Sequence, residues 1–366
     1  MIRVIITGGH HTSALPVIKE LKSRGVVEIF WIGHKYPPLE YREIKKLEIP
    51  FYELKAGKVY KSLSLVKWIH VPLGFLQALG LVLKLKPDVI LSFGGYLAAP
   101  VVFAGWLVGV PSITHEQTVV VGFANKFISV FAKKILISWE QSQEYFPRRK
   151  VVYSGLPLRK EIFEVRSDSF EINENLPTIY VTAGKTGSHA INQIILECMD
   201  ELLNFANIIH QTGYHTKFKD FHSLNKKAKK LLSKPGKYFA RRFVEGKEIG
   251  EILHKANLIF GRSGAHTIAE IVALRKPALL VPISWVSHNE QYKNAEVVRD
   301  FGLGEILEEK DLTKENLVDK VKEMLGNLSR YMPSPESLPA GFVPTNAAKI
   351  IVDELFSVTK AKTSPK

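Results

Sequence analysis

Apolar and polar positions alternate along this chain in two rhythms. Short runs rich in β-branched residues recur at 4–6, 26–32, 89–91 and 135–137, and their length predicts buried strands. Longer stretches at 14–23 and 73–85 predict helices. The same grammar returns in the second half, with strands expected at 178–182, 207–209, 258–260 and 278–281 and helices at 190–205 and 267–274. Strand–helix alternation implies parallel sheets joined by crossover helices. The expected fold class is therefore α/β, with two parallel-sheet domains. Charged, irregular sequence at 159–177 follows Gly155-Leu156-Pro157-Leu158 and sets the boundary. The domains are expected at 1–158 and 159–342. In the segment 343–366, an amphipathic helix at 346–356 is expected to pack back on the first domain, ahead of a basic tail.

Composition narrows this picture without changing it. Of the 366 residues, 46% are hydrophobic and 23% charged, values of a folded chain. The one cysteine, Cys198, excludes a disulfide framework and a cysteine metal cluster; it reads as a core thiol. No apolar run reaches about 18 residues, so no spanning helix is expected, and Met1-Ile2-Arg3-Val4 opens a strand rather than a signal peptide. The net charge of +14 favours anionic partners. Nucleic acid is not expected, because the lysines are dispersed and no nucleic-acid module is recognisable.

Candidate chemistry gathers where strands end, which is where ligands of open α/β sheets bind. Gly261-Arg262-Ser263-Gly264-Ala265-His266-Thr267-Ile268-Ala269-Glu270 reads as a strand end, a glycine turn and a helix start suited to an anion. Gln291 and Asn294 then offer hydrogen bonds for hydroxyls; a phosphate with many hydroxyls is a sugar nucleotide. The alternative is a helix capping box from Thr267 to Glu270. Gly184-Lys185-Thr186-Gly187 lacks the earlier glycine of a Walker loop, since that position is Ile179. Lys185 and the loop amides still suit a diphosphate, or form a plain turn. In Thr7-Gly8-Gly9-His10-His11-Thr12, two glycines permit close backbone approach and a histidine can act as general base; the alternative is a solvated surface loop. Ser92-Phe93-Gly94-Gly95-Tyr96 follows the strand at 89–91, and His115-Glu116-Gln117-Thr118 follows a further strand candidate at 111–114, with Glu116 expected to pair with a histidine or a lysine. No Asp-x-Asp motif or ligand-spaced cluster occurs, so no metal is expected. The apolar stretch 63–85, with Trp68, Phe75 and Leu79 and lysines at 61, 67, 84 and 86, is either core or an exposed patch for an anionic membrane surface.

In this order the motifs resemble the bacterial lipid II-forming N-acetylglucosaminyltransferases of the peptidoglycan pathway. The likeness runs through Thr7-Gly8-Gly9-His10, Ser92 to Tyr96, His115-Glu116-Gln117 with Gly122 and Asn125-Lys126, Gly155 to Arg159, Ile191-Asn192-Gln193, His210-Gln211-Thr212-Gly213, Arg262 to Ala265 with Glu270, and Gln291 with Asn294. It implies the glycosyltransferase-B fold, two Rossmann-like domains facing a cleft. It also implies inverting transfer of N-acetylglucosamine from UDP-N-acetylglucosamine to the C4 hydroxyl of a polyprenyl-diphosphate-linked N-acetylmuramoyl peptide, by a peripheral enzyme on the cytoplasmic face of the membrane. No cofactor is implied; the partners are the UDP-sugar, the lipid-linked acceptor and an anionic membrane surface.

Carried over by position, Arg159 and the Val244 backbone hold uracil. Lys185, Thr186 and Gly187 face the diphosphate. Ser263, Gly264, Ala265, His266, Thr267, Ile268, Ala269 and Glu270 run along diphosphate and ribose, Glu270 taking ribose hydroxyls. Gln291 and Asn294 address the sugar. The loop of Thr7, Gly8, Gly9 and His10, the stretch Gly94-Gly95-Tyr96 and the segment His115 to Thr118 face the acceptor, and Asn125 is a further binding residue; His10, His11 and Glu116 are the candidate catalytic residues, His10 the preferred base. The chain departs from the family pattern at Ile5 and Ile6, which replace glycines, at the additional His11, at Lys185 in place of a serine, and at Thr118 in place of an asparagine. A transferase with another lipid-linked acceptor, a UDP-sugar epimerase and a non-catalytic UDP-sugar-binding membrane scaffold are the alternative functions.

Overall fold

The computed structural model describes residues 1–25, 27–36, 38–56, 65–214, 217–244, 246–283, 289–333 and 346–360. They form two compact units, Met1–Leu158 with Val343–Lys366, and Arg159–Phe342.

The first unit is built on a parallel sheet of seven strands: β1 (Ile2–Thr7), β2 (Val27–Gly33), β3 (Phe51–Glu53), β4 (Val89–Ser92), β5 (Ser112–Glu116), β6 (Lys134–Ile137) and β7 (Val151–Tyr153), in the order β3-β2-β1-β4-β5-β6-β7. β1 and β4 are central, and Val4, Ile5 and Ile6 of β1 and Val89, Ile90 and Leu91 of β4 are fully buried, as strands covered on both faces require. Helices α1 (His11–Ser23), α2 (Pro38–Lys46), α3 (Leu65–Leu85), α4 (Ala98–Leu107) and α5 (Phe123–Phe131) are the crossovers that follow β1 to β5. The last helix of the chain, α12 (Ala347–Lys360), inserts Ile351, Val352 and Leu355 among Val17, Ile18 and Leu21 of α1. Ion pairs from Asp353 to Arg24 (2.9 Å) and from Glu354 to Lys134 hold its outer side.

The second unit repeats the plan with β8 (Thr178–Thr182), β9 (Asn207–Gln211), β10 (Tyr238–Arg241), β11 (Leu258–Gly261), β12 (Ala278–Leu280) and β13 (Gly304–Ile306), ordered β10-β9-β8-β11-β12-β13 and parallel throughout. α6 (His189–Leu202), α7 (Asp220–Ala228), α8 (Gly246–Lys255), α9 (Ala265–Leu274), α10 (Glu290–Asp300) and α11 (Lys314–Gly326) complete it. Cys198 lies buried in the core of this unit beside Met199 and Val321; burial pushes its thiol up to about 12.

Both sheets reverse their strand order beside the first strand, between β1 and β4 and between β8 and β11. At such a switch point neighbouring crossovers leave to opposite faces, and the loops at the carboxyl ends splay open. Register aligns those ends: Thr7 pairs with Ser92, and Thr182 with Gly261.

Candidate active site

In the first unit the loops after β1, β4 and β5 converge. Gly9 N donates to Gly94 O (3.2 Å) and Phe93 N to Thr7 O (2.8 Å). Gly8 sits at φ +129°, and a Cβ there would lie 2.8 Å from Gly94 O. No side chain fits, so the loops touch backbone to backbone. His10 is the N-cap residue of α1, yet its side chain makes no capping bond; the residue reaches solvent while its imidazole is crowded by surrounding protein. Burial by the surrounding protein, and then the neighbouring His11, push its pKa below the ordinary 6.5. His11 is placed otherwise: its Nε2 lies 2.9 Å from Glu43 Oε2 of α2, with 13% of its side chain exposed.

His115 and Glu116 are buried. His115 Nε2 donates to Gly155 O (3.0 Å), which fixes the tautomer, and burial lowers its pKa to about 4. The expected partner for Glu116, a histidine or a lysine, is corrected. Its oxygens accept from Thr118 N (3.0 Å), Thr118 Oγ1 (2.9 Å) and Asn125 Nδ2 (2.6 Å), because a carboxylate this deep is satisfied by its own loop. Burial raises its pKa. Thr7 Oγ1, His115 Nδ1, Gln117 Oε1 and Asn125 Oδ1 are buried without a protein hydrogen-bond partner, so hydrogen-bonding capacity is concentrated at the carboxyl ends of the central strands.

In the second unit the loop 183–188 after β8 packs on residues 211–214 after β9. A Cβ on Gly187 (φ +76°) would collide with Thr212 O; Tyr214 N donates to Lys185 O (3.2 Å), and Gln211 Nε2 to Gly184 O (3.0 Å). Thr186 is exposed, and Lys185 Nζ stands 6.0 Å from the Phe243 ring centroid. Val244 N donates to Gln211 Oε1 (2.9 Å), so a base held at Val244 is left its carbonyl rather than its amide.

The capping-box alternative for Thr267 and Glu270 is overturned. α9 starts at Ala265 with Gly264 as N-cap and no side-chain cap, so Thr267 is the third residue of the helix. The first amides of α9 are therefore uncapped by side chains, as anion sites require. Ile268 and Ala269 are fully buried, so their side chains serve the core. Glu270, largely buried, lies 3.6 Å from Arg159 Nη2; burial raises its pKa against the pull of Arg159. Gln291 Oε1 accepts from Ile283 N (3.2 Å), Asn294 Nδ2 donates to Ser263 O (3.1 Å), and Ser263 Oγ donates to Gln291 O (2.7 Å). The Asn294 amide and the Gln291 backbone carbonyl thus brace the turn before α9, while the Gln291 side chain holds the segment after β12.

Arg262 and Gln211, each inside a longer motif of the sequence, tie loops of the second unit together. Arg262 Nη1 donates to Val281 O (3.0 Å) and Glu309 Oε2 (2.6 Å), and Nη2 to Ser188 Oγ (3.1 Å). A lone arginine beside a glycine turn carries no sequence signal for such a bracket. Among the described residues no group of His, Cys, Asp or Glu is arranged to hold a metal.

Two family models cover most of the chain: the glycosyltransferase family 28 N-terminal domain matches residues 1–137, and the family 28 C-terminal domain residues 178–349. The chain belongs to glycosyltransferase family 28. This family 28 chain is 33% identical over 362 residues to the UDP-N-acetylglucosamine--N-acetylmuramyl-(pentapeptide) pyrophosphoryl-undecaprenol N-acetylglucosamine transferase of Pediococcus pentosaceus, covering 97% of this chain and 98% of the relative. A Bacillus thuringiensis protein of the same name, numbered 3, is 33% identical over 344 residues, covering 90% and 94%. Among solved structures, Acinetobacter baumannii MurG superposes with TM-score 0.74 at 23% identity, covering 98% of this chain and 100% of that one. UDP-GlcNAc 2-epimerase from Neisseria meningitidis superposes with TM-score 0.66 at 17% identity, covering 98% and 100%. These likenesses establish the shared fold.

Proposed function

We propose that this family 28 enzyme transfers N-acetylglucosamine from UDP-N-acetylglucosamine to the C4 hydroxyl of a polyprenyl-diphosphate-linked N-acetylmuramoyl peptide. The observation that carries this reading is the near full-length identity to transferases named for that reaction. In the first unit, the ring of His10, held below its ordinary pKa, takes the proton of the acceptor hydroxyl. The acceptor oxygen attacks the anomeric carbon in line, the bond from that carbon to the diphosphate oxygen breaks, and UDP leaves with the electron pair. One displacement inverts the α-linked donor to a β product. The uncapped start of α9 and Lys185 offset the charge of the leaving diphosphate, Arg159 and Val244 flank uracil, and Glu270 takes ribose hydroxyls.

A lipid-borne acceptor calls for a membrane surface, and the first unit has an apolar one. On α3, Phe75 and Leu79 are half-buried against the core, while Leu73, Leu76 and Leu83 are exposed; the side chain of Trp68 and residues 57–64 lie outside the described residues. The surface continues where the sequence reading did not extend it, through Trp106 and Leu107 of α4 and Phe123, Phe127 and Val130 of α5, all exposed. Phe103 stacks on Trp106 (5.8 Å) and meets Phe131 (4.9 Å), knitting the three helices. Lys133, Arg149 and Lys150 crowd nearby; burial and then the two neighbouring cations lower the pKa of Lys150. None of the described helices is long and apolar enough to cross a membrane. These features support peripheral attachment at the cytoplasmic face.

The test is product analysis with UDP-N-acetylglucosamine, with and without polyprenyl-diphosphate acceptors. A disaccharide on the muramoyl lipid with a β linkage supports the reading. Transfer only to another lipid-linked sugar, formation of an epimerised UDP-sugar without acceptor, or UDP binding without turnover each overturns it. Sedimentation with anionic vesicles, weakened by salt and by Phe123→Ser or Leu76→Ser, tests the surface.

A further inference from the structure

The histidine pair at the first loop is held asymmetrically. His10 is exposed and makes no cap, whereas His11 opens α1 with its ring against Glu43 of α2. With 13% and 22% of their side chains exposed, the two groups are partly shielded from solvent, so their interaction is screened less than a surface pair. α2 is itself anchored: Trp31 Nε1 donates to Glu40 Oε1 (2.9 Å), and a side chain at Gly33 would displace that carboxylate. The backbone of His10 is fixed from the other side, its carbonyl accepting from Ser13 N (3.1 Å).

We propose that His11 and Glu43 form a positioning dyad for His10, fixing the first loop against α2 and holding the His10 ring in its base form. The inference rests on the reading of His10 as general base. Adjacent residues share one backbone, so pinning the His11 ring limits the directions open to the His10 ring. A proton on His11 places positive charge beside His10 and opposes a second proton there; the effect of His11 on the His10 pKa has this sign. Glu43 gives that charge a counter-ion, so the arrangement is not two bare cations on one loop. The other titratable groups facing the pair have been placed as well. Glu40 of α2 faces His11 and, from the end of β2, His34; Tyr96, after β4, faces Glu40; and His115 of β5 faces His10. Of these, Glu40 is raised by burial and engaged by Trp31, and His115 is neutral above about pH 4, so the interaction of His10 with His11 acts beside the larger effect of burial. The second histidine, a departure from the family pattern, thereby acquires a role distinct from catalysis.

The experiment is the pH profile of kcat/KM for transfer to the lipid-linked acceptor, with UDP affinity measured by titration calorimetry. Variants are His11→Gln, which can still bond Glu43 but carries no charge, Glu43→Gln and His10→Ala. For His11→Gln, the acid limb moves to higher pH, so the loss relative to wild type is greatest near about pH 6 and shrinks on the alkaline plateau to less than about tenfold. UDP affinity is unchanged. For Glu43→Gln, kcat falls at all pH while KM for the donor holds. An acid limb unmoved in a folded, active His11→Gln overturns the proposal while His10→Ala remains inactive. If His10→Ala turns over normally and His11→Gln does not, His11 is itself the base, and the reading of His10 fails with the proposal. A change in UDP affinity for either dyad variant shows a general structural role and also overturns it.

Discussion

At the switch point of the first sheet, between β1 and β4, the loops leave His10 exposed and Thr7 Oγ1, Gln117 Oε1 and Asn125 Oδ1 buried without protein hydrogen-bond partners. At the corresponding point of the second sheet, between β8 and β11, the polar side chains are largely engaged: Arg262 with Ser188 and Glu309, Gln211 with Gly184 and Val244, Asn294 with Ser263. The same topology thus supports two kinds of site. Chemistry needs a titratable group free to meet a new proton donor, and hydrogen-bonding capacity not yet spent. Recognition of a nucleotide needs backbone amides and a few groups held rigidly, because binding loses affinity when loops must be ordered first. The difference agrees with the proposed function, in which reactivity belongs to the first unit and donor binding to the second.

The sharpest way to break that assignment is His10→Ala. It is expected to lower kcat about 10²–10⁴-fold while UDP binding to the second unit is unchanged. A UDP affinity that falls with turnover would dissolve the division of labour. Next in size is Arg262→Ala, which leaves Glu309 and Ser188 without their shared donor. Hydrogen bonds to charged groups are worth about 1.5–3 kcal/mol, so chemical denaturation should show a loss of that order and UDP affinity should fall. Stability loss with unchanged UDP affinity would show that the bracket does not align the donor loops.

How much of this was legible beforehand follows from burial. The central strands β1, β4, β8 and β11 are apolar on both faces, and their runs stood out. The edge strands β3, β7, β10 and β13 have three or four residues each and are largely half-exposed, so no periodicity announced them. The glycine loops were readable because Gly8 and Gly187 meet backbone where no Cβ fits. The bracket by Arg262 was not, because its partners Ser188 and Glu309 lie 74 and 47 residues away. The apolar face was legible on α3 and missed on α4 and α5, where exposure depends on which side the core takes.

Lys185 offers a smaller effect. A cation beside two phosphates contributes a charge-assisted hydrogen bond, so Lys185→Ala should weaken UDP by roughly tenfold, about 1.4 kcal/mol, and uridine hardly at all. Equal losses for both ligands would remove Lys185 from the diphosphate and leave it a partner of Phe243.

The smallest effects come from two carboxylates of the second unit whose surroundings act in opposite directions. Glu251 is buried, which alone would raise its pKa. Lys255 Nζ (2.7 Å), Ser167 Oγ (2.6 Å), Ser169 N (2.8 Å) and Phe170 N (3.0 Å) all donate to it, and together they bring it down to about 2. A folded-state pKa below the unfolded value near 4.5 means stability that is fully present above that value and lost as pH falls toward about 2. Glu270 is the reverse: burial raises its pKa with Arg159 only partly opposing, so its charge costs stability at neutral pH, and acidification relieves the cost. Glu251→Gln is therefore expected to lower stability at pH 7, with a deficit that shrinks on acidification and with UDP binding intact. Glu270→Gln is expected to keep or raise stability at pH 7 while weakening UDP. Thermal denaturation across pH, paired with UDP titration, separates them. If Glu270→Gln lost stability and kept UDP affinity, Glu270 would be a structural carboxylate like Glu251, and the second unit would lose its proposed ribose contact.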